Sequence, residues 1–243
     1  MNFIVKLITA RPLITCIIIG TVLMSMWWLK FQKKLNMKWY WAPIFSFMVF
    51  ILGVIGGKML ALVEAGFNTE LAANRRIWGS ILLLIVVIGI VAKLTKRDFA
   101  HAYDISAVAT LIAGIIVRIA CLVDGCCGGI PIVPGGTFRW PLVEMEMLLD
   151  IILVIYFWNR VYKGKTKGLA YPTFVLIYGI FRFVIEWLRD EYTGQLGPCN
   201  LAHIWSLLAI IGATIVILLI KRHNIKMDNK PHSKHKMVKK EVK

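Results

Sequence analysis

The 243 residues contain no polar stretch long enough to build a soluble core, no paired Cys-x-x-Cys spacing and no internal repeat. The first absence excludes a separate soluble domain, because a core needs many residues to bury enough apolar surface. The second excludes a zinc site of the usual kind, although five cysteines are present. The third withholds support from an inverted-repeat transporter. Acidic residues are also scarce, with 13 Asp and Glu against 29 Lys and Arg and a formal net charge of +16. In a soluble chain that balance would point to nucleic acid. Here the basic residues stand in short segments beside apolar runs, so anionic lipid headgroups are the expected partner and nucleic acid is not. The first apolar run lacks a small-x-small cleavage site and ends in Trp27-Trp28 followed by Lys30, an interfacial anchor, so it reads as a membrane helix.

What is present is hydrophobic length. The chain is 58% hydrophobic with mean hydropathy +0.71. Runs of about 20 apolar residues, enough to cross a bilayer, recur at 13–29, 41–65, 77–95, 103–124, 140–160, 168–188 and 201–220. The expected fold is an all-α membrane protein, a bundle of about seven transmembrane helices. Its expected division is a membrane domain over 1–220 and a basic tail over 221–243.

The connecting segments alternate in charge. Lys30, Lys33, Lys34 and Lys38 form one basic group, Lys93, Lys96 and Arg97 a second, and Arg160, Lys163, Lys165 and Lys167 a third, before the lysine-rich tail. The positive-inside rule places these in the cytoplasm. With seven spans the N-terminus is then outside, the C-terminus is cytoplasmic, and segments 66–76, 125–139 and 189–200 are external. The tail reads as a solvated anchor on anionic lipid.

Several charges fall within the apolar runs, where each costs several kcal/mol unless it has a partner or a wet cavity. At about 1.5 Å per residue, Lys58, Glu64, Arg118, Asp124, Glu144, Glu146, Asp150, Arg182, Glu186 and Arg189 all belong to the outer part of the membrane. Arg182, Glu186 and Arg189 share a helix face by i, i+4, i+7 spacing, and Glu146 and Asp150 share another. Two readings follow. The charges are interhelical salt bridges that fix packing, or they line an outward-facing cavity in which arginines hold a phosphate by forked hydrogen bonds. The glycine- and proline-rich segment from Gly125 to Gly136 is not helical; it is either an external loop or backbone lining that cavity.

At these residues the chain resembles the prolipoprotein diacylglyceryl transferase family. Tyr178-Gly179-Ile180-Phe181-Arg182 through Glu186 and Arg189 is similar to its Tyr-Gly-x-x-Arg-x-x-x-Glu-x-x-Arg helix. Arg118 through Gly125 resembles the Gly-Arg-x-Gly-Asn-x-x-x-Gly signature, Pro141 to Glu146 the Pro-x-Gln-Leu-Tyr-Glu stretch, and Gly56-Gly57-Lys58 a Gly-Ala-Arg element. The departures concern mainly the positions that would handle a proton. Trp78-Gly79-Ser80 stands where the family has His-Gly-Gly, Cys121 replaces the signature asparagine, and Cys126 replaces a usual glutamate.

The resemblance implies an enzyme of the bacterial cytoplasmic membrane. It would transfer the diacylglyceryl group of phosphatidylglycerol to the lipobox cysteine of a prolipoprotein signal peptide, with no cofactor and no metal. Arg118 and Arg182 would bind the lipid phosphate and Glu186 would orient an arginine. Glu146 is the candidate base for the acceptor thiol. His203, the one histidine expected at the outer side, is a second proton-transfer candidate. Lys58, Tyr178, Arg189, Asp124, Gly125 and Cys126 are the implied substrate contacts. Two other readings remain: the same donor with a different acceptor, and a non-catalytic lipid-binding protein of this fold. Cys126, Cys127 and Cys199 fall on the oxidising side, where Cys199 could bridge to either of the others.

Overall fold

The structure, a computed structural model, describes residues 12–33, 38–68, 76–96, 98–125, 127–189 and 199–228. Among them seven α-helices follow in order: α1 Pro12–Phe31, α2 Trp41–Glu64, α3 Ile77–Leu94, α4 Phe99–Asp124, α5 Leu142–Tyr162, α6 Ala170–Ile185 and α7 Leu201–Asp228. A 3-10 turn, Glu186–Leu188, extends α6. No strand occurs among the described residues, only isolated bridges joining Gly129 to Arg189 and Pro131 to Arg139.

Six of these helical segments are long and apolar enough to cross a membrane, and the protein is an all-helical, multi-pass membrane protein. The exception is α5, which has the length, at 21 residues, but carries Glu144, Glu146, Asp150 and Arg160. Two boundaries differ from expectation for local reasons. Helix α4 starts at Phe99 because the Asp98 side chain accepts the Ala100 amide at 3.1 Å, a helix N-cap. Helix α7 runs past residue 220 to Asp228, because Lys221 and Arg222 extend a helix at little propensity cost. The tail beyond, 229–243, lies outside the described residues.

Helix α4 is the axis of the bundle. It packs against α1, α2, α3, α5 and α6, and 56% of its span is buried against 17% for α7 at the periphery. Ala107, Ala109, Ala113 and Ala120 are buried along it; small side chains let neighbouring backbones approach, which is how helices associate where lipid competes with any larger apolar contact. The α2–α3 pair is closer still. A Cβ on Gly56 or Gly79 would meet the other's carbonyl group, and Ser80 Oγ donates to the Gly53 carbonyl at 2.5 Å.

The bundle has two chemically different ends. At the lysine-bearing end Phe31 of α1 packs edge-on against His101 of α4 and Tyr162 of α5, and Asn224 of α7 donates to the Lys167 carbonyl at 3.2 Å. Buried Asp104 of α4 ties this end together. Its carboxylate accepts from Thr166 Oγ1 at 2.5 Å and from the amides of Gly168 and Ala170 at 2.7 and 2.8 Å, capping α6 from another helix. The opposite end collects the charges.

Asp104→Ala strands those buried donors. It is expected to lower stability by about 2–3 kcal/mol, read as unfolding temperature in detergent, whereas Asp98→Ala, which loses only an exposed cap, costs about 1 kcal/mol. Equal effects would show that Asp104 is not the tie between α4 and α6.

Candidate functional site

The glycine- and proline-rich segment after α4 brings the charged end into register. Gly125, at φ +63°, caps α4 in the left-handed conformation that glycine adopts without strain. Residues 129–140 then fold as a narrow hairpin, with Ile132 N donating to Phe138 O at 2.9 Å and Trp140 N to Ile130 O at 3.1 Å. Ile130 N donates to Leu188 O at 2.8 Å, which pins the hairpin to the end of α6. Gly129 is needed there, because a Cβ would run into Trp140 at 2.6 Å. The segment is thus built into the bundle, and Cys127 forms part of a cavity wall.

Behind that hairpin five charged side chains meet. Arg118 comes from α4, Glu146 from α5, Arg182 from α6, Glu186 from the 3-10 turn and Arg189 from the residue that follows it; all are buried, and Glu146 is completely enclosed. Glu146 pairs with Arg118, with Arg182, and with Arg189 Nη2 at 3.1 Å. Glu186 Oε2 pairs with Arg182 Nη2 at 3.0 Å and Arg189 Nε at 3.7 Å. Arg118 Nη2 also donates to the Tyr178 hydroxyl at 3.3 Å. The i, i+4, i+7 spacing therefore does place three groups on one face, and the carboxylate that joins them to α4 comes from α5. Within these pairings three guanidinium groups face two carboxylates.

The cluster forms one end of a cavity of about 400 Å³ whose wall includes Arg118, Tyr178, Arg182, Glu186 and Arg189, and whose other end is apolar, with Ile17, Phe50, Ile81 and Leu84. Asp150 faces it one helical turn below Glu146, buried beside Gly114, whose missing side chain makes room for the carboxylate. At the rim Glu64 accepts from Arg76 Nε and Trp205 Nε1, both at 2.7 Å, joining α2, α3 and α7.

Glu146 stands behind the cavity wall, not in it, with guanidinium partners on both oxygens. It is the hub of the cluster and is not exposed to a bound thiol. His203 is also enclosed, at 1% exposure, against Phe183 and Trp187, and is not part of the wall. Its Nδ1 lies 2.9 Å from Asn200 Oδ1, and Asn200 Nδ2 donates to Glu186 Oε1 at 2.9 Å. Through Asn200, His203 is thus linked to the cluster. Asp124 is exposed and contributes to the wall, whereas Lys58 is exposed on α2 away from it. Cys126 lies outside the described residues, and no disulfide joins Cys127 to Cys199.

Sequence reasoning passed over Asn200. Its Oδ1 also accepts the His203 amide at 3.1 Å, the N-cap bond of α7, and Asn before an apolar run is a legible cap signal. Trp78, which stands where the resembled family has its histidine, donates to Ser206 Oγ at 3.2 Å and packs edge-on against Tyr178.

A model of the family described as prolipoprotein diacylglyceryl transferase matches residues 12–219. The chain is similar to phosphatidylglycerol–prolipoprotein diacylglyceryl transferase 2 of Clostridium perfringens, 22% identical over 193 residues covering 70% of this chain and 75% of the relative. It is similar to the transferase of that name from Clostridium tetani, 23% identical over 180 residues with 65% and 72% covered. The corresponding figures for the Geobacter sulfurreducens protein are 28% over 181 residues, with 68% and 66% covered.

Glu146→Gln removes the anion that three buried guanidinium groups share. It is expected to cost about 3–5 kcal/mol, the range for breaking a buried ion pair from one side, while Glu144→Gln on the exposed face of α5 changes stability by less than about 0.5 kcal/mol. Thermal unfolding in one detergent checks both, and a wild-type melting temperature for Glu146→Gln would contradict the hub.

Proposed function

This chain belongs to the prolipoprotein diacylglyceryl transferase family, and from that premise we propose that it moves the diacylglyceryl group of phosphatidylglycerol to the lipobox cysteine thiol of a prolipoprotein at the outer face of a bacterial cytoplasmic membrane. The observation that carries the reading is the cluster of three buried arginines, open on one side to a cavity with an apolar far end. Phosphatidylglycerol has an anionic phosphodiester to meet the arginines and two acyl chains to meet the apolar end. The lysine-bearing end of the bundle would face the cytoplasm. Helix α5 would cross the membrane as a seventh span, since Glu146 is neutralised inside the bundle.

In this mechanism Arg118 and Arg182 hold the lipid phosphate, and Arg189 adds to the local potential. The acceptor sulfur attacks the glyceryl carbon attached to the phosphate oxygen. A carbon–sulfur bond forms, the carbon–oxygen bond breaks, and glycerol phosphate leaves with a second negative charge. The arginines stabilise that charge as it develops, each well-placed donor contributing about 3–4 kcal/mol to the transition state. The thiol must lose its proton, because the thiolate is the nucleophile. We assign that proton to Asp150, the buried wall carboxylate outside the guanidinium cluster. Tyr178 orients Arg118; Asn200, backed by His203, orients Glu186 and through it Arg182 and Arg189. Trp78 in place of a histidine favours a second reading, the same donor with another acceptor, in which glycerol phosphate is released but a lipobox peptide gains no lipid.

Arg118→Lys and Arg182→Lys keep the charge but lose the fork that spans two phosphate oxygens. Each is expected to lower turnover of phosphatidylglycerol about 100-fold while the protein still elutes as a folded monodisperse peak, whereas Arg160→Lys at the other end leaves turnover unchanged. Near wild-type rates for both cluster variants would remove the phosphate assignment. Asp150→Asn is expected to abolish transfer to peptide and to leave phosphatidylglycerol binding intact; retained transfer would move the base elsewhere.

A further inference from the structure

A second cavity, of about 650 Å³, lies between α1, α2, α3 and α4 towards the lysine-bearing end. Its wall is mainly apolar, with Trp28, Phe45, Met48, Val87 and Val91, and carries Lys38 and Thr95 at the lysine-bearing end. Val49, Leu84 and Thr110 belong to its wall and also to the wall of the arginine cavity. The two spaces therefore adjoin, sharing one wall residue from each of α2, α3 and α4.

We infer that the second cavity is an acyl-chain site, which takes one chain of the phospholipid whose phosphate sits at Arg118 and Arg182. This rests on the phosphate reading of the arginine cluster. Thr110 precedes Arg118 by eight residues on α4, about 12 Å of helix rise. The chains of one leaflet fill half of a hydrocarbon core, about 15 Å. A chain of that length starting at the arginines thus ends about 3 Å beyond Thr110, at the near end of the second cavity. A peptide is a poor occupant, because its backbone donors and acceptors would find few partners on such a wall. Moving a chain from bilayer to an apolar cavity gains little free energy, since lipid tails are as apolar as the side chains. The site therefore serves orientation. Fixing one chain fixes the glyceryl carbon against the attacking sulfur, so its loss appears in kcat more than in KM.

The test uses the full chain in phosphatidylglycerol-free nanodiscs and phosphatidylglycerol carrying a diazirine at the end of one chain. After illumination, labelled peptides from 45–52 and 84–91 are expected, and labelling should fall about tenfold in Arg118→Lys and Arg182→Lys, which weaken the headgroup contact. Labelling confined to the first cavity would overturn the inference. Undiminished labelling in both arginine variants would overturn it too, because a separate lipid would then occupy the second cavity. A second variant, Val87→Trp, fills that cavity. It is expected to lower kcat for a dipalmitoyl donor about tenfold relative to a dioctanoyl donor; equal changes for the two donors would also count against the site. If labelling depends on the arginines but no lipobox peptide is ever modified, the transferase reading falls and the chain site stands.

Discussion

The fully enclosed carboxylate of Glu146 governs this bundle. A charge at membrane depth has no water to fall back on, so it must be met from within the protein. Here Arg118 of α4, Arg182 of α6 and Arg189 beyond the 3-10 turn converge on one side chain of α5. That convergence holds helices together across the charged end. In the proposed function packing and anion recognition are the same arrangement: the hub aligns the arginines that a phosphodiester would meet.

The rest of the charged end supports that arrangement. The hairpin after α4 closes over the cluster by bonding to Leu188, which places Arg189 beside Glu186 instead of in a free loop. Asn200 spends one amide on two tasks, capping α7 with its oxygen and holding Glu186 with its nitrogen. At the other end Asp104 caps α6 across a helix boundary. The apolar middle is left to small residues on α4 and to the Gly56–Gly79 contact. Lipid-facing surfaces carry exposed Ile and Leu, as on α7 at Leu207, Leu208 and Ile211, where only hydrophobicity is required.

Apolar run length located the seven helices among the described residues, and depth along each helix brought Arg118, Glu146, Arg182, Glu186 and Arg189 to one level. Depth alone says nothing about direction around a helix, which is why Lys58 was grouped with them. The buried residues of α2, among them Ser46, Phe50, Gly57, Leu60 and Ala61, mark a stripe, and Lys58 stands about 100° from Gly57. Roles were less legible than positions. Glu146 could be seen as a buried carboxylate, but its being walled off by three arginines depends on three other elements. His203 had suitable chemistry for proton transfer and proved to sit behind Asn200, outside the cavity wall. Pairings between distant elements such as Glu64 with Trp205 leave no mark on local sequence.

The most direct measurement of the central claim is a mass balance on one reaction. Purified protein is incubated with phosphatidylglycerol labelled in both the acyl chains and the headgroup glycerol, together with a synthetic lipobox peptide. The account predicts that the peptide gains one diacylglyceryl group on its cysteine for every glycerol phosphate released. Phosphatidylglycerol that stays bound and intact throughout, with no glycerol phosphate in solution, would contradict it and would leave the arginine cluster as a lipid-binding site without chemistry.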